Sequence, residues 1–109
     1  MKDMTEREIV AMFSSLVRHL LGDEVVSIRW FGSRAKGIGA SDSDYDIMIE
    51  TKRALTEAQR DAVADVTVDV TADYGVLFDV HYYTTAEIRG RPYGIAPFVL
   101  SVLEEGVVV

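Results

Sequence analysis

The chain has 109 residues, 49% of them hydrophobic and 27% charged, which is ordinary for a folded soluble domain and too apolar for a wholly disordered chain. Its 11 basic and 18 acidic residues leave a formal charge of −7, which argues against a general affinity for nucleic-acid backbone. With no cysteine, a disulfide framework, a zinc ribbon and a thiol nucleophile are excluded. No stretch approaches the roughly 18 apolar residues of a membrane span. The segment Met1 to Glu6 lacks the apolar run of a signal peptide. One cytoplasmic domain over residues 1–109 is expected.

The first helix is expected from Glu6 to Leu20. Thr5 and Glu8 form a capping-box pattern, Ile9, Phe13, Leu16, Val17 and Leu20 share one face, and Gly22 ends it. Val25 to Phe31 reads as a strand, with Val26, Ile28 and Trp30 alternating with Ser27 and Arg29. Tyr45 to Glu50 is a second strand, with Tyr45, Ile47 and Ile49 on one face and Asp44, Asp46 and Met48 on the other. A second helix is expected over Glu57 to Tyr74, capped by Thr56 and Gln59, with Ala62, Val66 and Val70 as its apolar stripe. Val76 to Tyr83 is the third strand, and its apolar neighbours suggest that Asp79 lies in a buried strand. Thr84 to Arg89 suits a helical turn, and a last helix starts near Pro97 and ends before Gly106. The apolar tail Val107 to Val109 could pair along a sheet edge or dock on a partner. The order of elements describes one compact unit of alternating helical and extended segments.

The informative stretch is Gly32 to Asp46, GSRAKGIGASDSDYD. It is not a P-loop, because Ile38-Gly39 stand where Lys-Ser/Thr are required. It is not a dinucleotide fingerprint, because Asp42 replaces the third glycine. It is not a calcium loop, because Ile47 and Arg53 replace the glycine and the closing glutamate. What remains is a pair of carboxylates, Asp44 and Asp46, two residues apart at the head of a strand. In a strand they point the same way, their Cα atoms about 6.5–7 Å apart. Carboxylates on one face repel, which raises a pKa unless a cation sits between them. Asp79 would complete a three-carboxylate cluster if its strand lies beside theirs. Gly32-Ser33, at the end of a strand, would leave backbone N–H groups free for a phosphate, with Arg34 and Lys36 as candidate positive charge. His81 shares a face with Asp79 and reads as a rim residue.

Gly32-Ser33, Ser43-Asp44-x-Asp46 and Asp79 in a later strand resemble the DNA polymerase β-type nucleotidyltransferases. The short length, the first helix and Pro97-Phe98-x4-Leu103-x2-Gly106 resemble the minimal branch of that superfamily. The resemblance implies the polymerase β-like fold, an α+β chain with a small mixed β-sheet flanked by helices, which agrees with the order of elements. It also implies that Gly32 and Ser33 bind the β- and γ-phosphates of a nucleoside triphosphate, and that Asp44, Asp46 and Asp79 hold Mg²⁺, two ions being expected. Asp79 would help to deprotonate the attacking hydroxyl, and pyrophosphate would leave.

In that branch the minimal domain is often paired with a small helical HEPN-type RNase toxin. The resemblance therefore implies an antitoxin that transfers AMP from ATP to a tyrosine of its toxin, in a hetero-oligomer. The short chain leaves little material for holding an acceptor, so the acceptor is expected on another protein. One rival is a binding module that neutralises a toxin by covering it. Another is a small-molecule nucleotidyltransferase of the antibiotic-modifying kind. Nucleic-acid tailing is disfavoured by the charge.

Overall fold

The computed structural model describes residues 4–32, 44–90 and 96–109. Helix α1 (Glu6–Leu21) is followed by a short 3-10 turn (Gly22–Glu24) and strand β1 (Val25–Phe31). Strand β2 (Tyr45–Thr51), helix α2 (Glu57–Tyr74) and strand β3 (Phe78–Thr84) come next. The described chain ends with helix α3 (Thr85–Gly90), helix α4 (Ala96–Glu105) and the two-residue strand β4 (Val107–Val108). This is the α+β architecture expected, with the sheet in the order β3-β2-β1-β4. β1 pairs antiparallel with β2 and with β4, whereas β2 and β3 run parallel. A parallel pair needs a long crossover, and α2 supplies it.

Local signals start the helices. The Thr5 hydroxyl accepts from the Glu8 N–H at 3.1 Å, and the Glu8 carboxylate accepts from the Thr5 N–H at 2.9 Å. Thr56 and Gln59 make the same reciprocal pair at α2. Thr84 and Glu87 repeat it at α3. Gly75, in the left-handed region at φ 71°, closes α2.

The core lies between one face of the sheet and helices α1 and α2. Ile28, Trp30, Tyr45, Ile47 and Ile49 meet Val10, Phe13 and Val17 of α1 and Val63 and Val70 of α2. An aromatic chain runs through it. Phe13 stacks on Phe78 with ring centroids 4.3 Å apart, Phe78 meets Tyr45 edge-on at 5.6 Å, and Tyr45 lies 5.9 Å from Trp30.

Three expected faces differ in detail. In α1 the buried stripe is Ile9, Val10, Phe13, Val17 and Leu21, while Leu16 and Leu20 are exposed. The stripe is rotated toward Val10 and Leu21 because the helix packs against both α2 and the sheet. In α2 the buried positions are Val63 and Val70 rather than a stripe through Ala62. In β1 the register shifts between Val25 and Ser27, so Val25 packs on the core and Val26 turns outward.

The C-terminal tail pairs along the sheet edge. Val107 and Val108 register with Trp30 and Arg29, and the Val109 N–H donates to the Ile28 carbonyl at 3.0 Å. Arg18 donates to the Val109 carbonyl at 2.9 Å. Among the described residues, no helix is long and apolar enough to cross a membrane.

Phe13 is fully buried and stacks on the residue that precedes Asp79. Phe13→Ala should lower the stability by about 3–5 kcal/mol. Urea unfolding followed by circular dichroism checks this through the midpoint.

Candidate active site

Alternation along the strands sends Phe31, Asp46 and Asp79 to the sheet face opposite the main core. The register places them in one row, Phe31 opposite Asp46 in the antiparallel ladder and Asp46 opposite Asp79 in the parallel one. Neighbouring strands lie about 4.8 Å apart, so the two carboxylates stand side by side. The next row on that face is Arg29, Met48 and His81. His81 reaches back toward the first row. Its Nε2 lies 3.3 Å from Asp79 Oδ2, and its ring sits 5.6 Å from that of Phe31. One ligand atom from each of Asp46, Asp79 and His81 falls within 4.8 Å of the others.

The two carboxylates differ in setting. The Asp46 carboxyl is held above the ordinary carboxylate range, first by burial, then by the charge of Asp79 and more weakly by that of Asp44, with His81 opposing. The Asp79 side chain is 54% exposed. This corrects the expectation of a buried strand around Asp79. β3 is the sheet edge, and its residues are partly covered or exposed.

Gly32 packs its backbone against Asp46. Its φ is +84°, a region that side chains rarely adopt, and a Cβ there would overlap the Asp46 carboxylate oxygen. Asp44 stands just before β2 and is exposed. Its charge reaches Asp46, but the group drawn together at 4.8 Å is Asp46, Asp79 and His81. Ser33, Arg34 and Lys36 lie outside the described residues. His81, expected at the rim, stands with Asp46 and Asp79; that it shares a face with Asp79 is legible in the spacing, but its lean toward the carboxylates is not.

A second polar group shares this face. The Glu50 carboxylate accepts from Ser27 Oγ at 3.0 Å and from Thr85 Oγ1 at 2.7 Å. Arg29 donates to Ser27 at 2.7 Å and lies 3.8 Å from Glu50. This network ties α3 and β1 to β2, and every charge in it is answered. At Asp46 and Asp79 a second carboxylate stands close by, with His81 beside them among the described residues, an arrangement that suits a divalent cation.

Two outcomes follow. Gly32→Ala should cost at least about 1 kcal/mol from the positive φ alone, and it should weaken divalent-cation binding by displacing Asp46; calorimetry and metal titration check both. For Asp46 the folded protein holds the proton more tightly than the unfolded chain. The resulting penalty is absent below the ordinary carboxylate pKa and grows as pH rises through the folded value. In metal-free protein, Asp46→Asn should therefore raise the urea midpoint at pH 7, and the gain should vanish in acid.

Comparison with known proteins follows the same lines. Residues 10–106 match the family model of the nucleotidyltransferase domain. The chain is similar to a solved structure described as a candidate minimal nucleotidyltransferase, with 21% identity, full coverage of both chains and a TM-score of 0.65. At that identity the likeness is one of fold. No curated protein sequence matches the chain. The family match runs through α2 and the three strands that carry Gly32's approach, Asp46 and Asp79, and it bears out the resemblance read from the motifs: the chain belongs to the nucleotidyltransferase domain family.

Proposed function

We propose that the protein is a Mg²⁺-dependent nucleotidyltransferase that moves AMP from ATP to a tyrosine hydroxyl of a small helical HEPN-type toxin, and thereby acts as its antitoxin in the cytoplasm. Nucleotidyl transfer is the chemistry of its family. The observation that supports a metal-dependent reaction is the register of β2 with β3, in which Asp46 stands directly opposite Asp79; the nucleotide, the tyrosine acceptor and the antitoxin role rest on the resemblance of the motifs.

The residues divide the work as follows. Asp46 and Asp79 would hold the metal, with Asp44 joining them from the mouth of β2. A divalent ion bound there supplies neutralisation of phosphate charge in the transition state. Gly32 and Ser33 would receive the β- and γ-phosphates, and the bare backbone at Gly32 allows close approach. Arg34 and Lys36 would add positive charge to the same phosphates. The acceptor oxygen attacks the α-phosphorus and forms a P–O bond. The bond from the α-phosphorus to the bridging oxygen breaks, and pyrophosphate leaves with that electron pair. Asp79, exposed at the sheet edge, takes the hydroxyl proton. Orientation and charge neutralisation do most of the work. An edge-strand site is also open enough for a side chain presented by another protein.

The test is a transfer assay with α-labelled ATP, Mg²⁺ and the product of the adjacent reading frame. Wild type should label that product. The Asp44→Asn/Asp46→Asn variant should lose roughly a hundredfold or more in rate, as expected for removing several kcal/mol of charge stabilisation. A complex formed by both versions, with label in neither, overturns the enzymatic reading in favour of a protein that neutralises by covering.

A further inference from the structure

We infer that His81 is itself a ligand of the metal centre, so that the centre carries a nitrogen donor and binds Mn²⁺ more tightly than Mg²⁺. This rests on the reading of Asp46 and Asp79 as metal ligands, and it adds a residue and a selectivity to that reading.

Three observations support it. The first is distance. Two ligands at right angles about an ion about 2.1 Å away lie about 3.0 Å from each other. His81 Nε2 and Asp79 Oδ2 are 3.3 Å apart, and the ligand atoms of Asp46, Asp79 and His81 all lie within 4.8 Å of one another. One ion could touch all three with small side-chain adjustments. The second is direction. His81 lies two residues beyond Asp79 on the same strand, where an upright side chain would stand one row away. Its ring instead leans back to the Asp79 row and packs against Phe31, which registers with Asp46. The aromatic contact holds the imidazole toward the carboxylates. The third is charge. A cation held by the two carboxylates beside this imidazole would favour its neutral form, which is a common metal ligand.

Selectivity follows from the donor set. Mg²⁺ is a hard ion that keeps oxygen ligands and water, whereas a first-row transition ion accepts imidazole nitrogen alongside carboxylate. A centre of oxygens alone would discriminate little between Mg²⁺ and Mn²⁺. A centre with His81 in it gains affinity for Mn²⁺ that Mg²⁺ does not share.

The experiment uses the full chain with Mn²⁺ alone. Pulsed electron paramagnetic resonance of the Mn²⁺-loaded protein should show modulation from a coordinated nitrogen. Labelling only the histidines with ¹⁵N should change that pattern, with no substitution needed. Mn²⁺ should bind at least about tenfold more tightly than Mg²⁺, and His81→Gln should erase the nitrogen signal and about a tenfold share of the Mn²⁺ affinity while moving Mg²⁺ affinity little. Mn²⁺ bound without a histidine nitrogen signal, or no Mn²⁺ binding at all, overturns the inference. Nitrogen coordination without label transfer would overturn the enzymatic reading and leave this one standing. Label transfer without nitrogen coordination would do the reverse.

Discussion

Everything at the site depends on the register of one parallel strand pair. Asp46 and Asp79 are direct partners across β2 and β3, and like charges in that position destabilise a sheet. A slip of one residue would relieve the repulsion by turning Asp79 to the other face. It would also drive a carboxylate into the core and expose Phe78, since strand side chains alternate. The residues just before the carboxylates oppose such a slip. Tyr45 pairs with Phe78, Phe78 stacks on Phe13, and Tyr45 adjoins Trp30. The aromatic chain on the inner face thus fixes the position of the acidic pair on the outer one.

The outer face contains two kinds of carboxylate, and their partners separate them. Glu50 is nearly buried and is met by Ser27, Thr85 and Arg29. Its charge is answered within the protein, and its role is to join three elements. Asp46 is partly desolvated, and another carboxylate is among the groups that raise its pKa. Among the described residues His81 opposes that repulsion, and a bound cation would answer the rest. Sequence alone does not distinguish the two, because Glu50 and Asp46 share the same strand face four residues apart.

The sequence made the element order legible because the signals were local: capping pairs at Thr5 and Thr56, alternation through Ile47 and Ile49, glycine at the helix ends. The errors fall where tertiary packing decides. Leu16 and Leu20 fit the helical period as well as Val10 and Leu21 do, and only the position of α2 selects between them. Val26 fits the alternation of β1, and the register shift at its start moves it out. Of the candidate site, the motif spacing of Gly32, Asp46 and Asp79 is legible in the sequence, and the pairing of β2 with β3 adds the side-by-side placement of the two carboxylates. The apolar neighbours of Asp79 suggest a buried strand. That inference needs to know whether a strand is central or at the edge, which is a property of the whole sheet. His81 reads as a rim residue in the sequence, and its lean toward the neighbouring row is a side-chain choice that alternation does not specify.

The edge position of β3 also accounts for an asymmetry that the proposed chemistry needs. A metal centre requires at least one ligand held firmly, and a proton acceptor requires access to the incoming hydroxyl. Asp46, flanked by β1 and β3 and pressed against the Gly32 backbone, has little freedom. Asp79, on the outermost strand, keeps half its side chain in solvent. Had both been on central strands, two desolvated carboxylates would have repelled at close range with no water to screen them. Had both been at the edge, neither would have been fixed. One central and one edge strand, running parallel so that the two residues meet without a turn between them, gives a firmly held carboxylate beside an accessible one. Residue identity does not supply that difference; the order of strands in the sheet does.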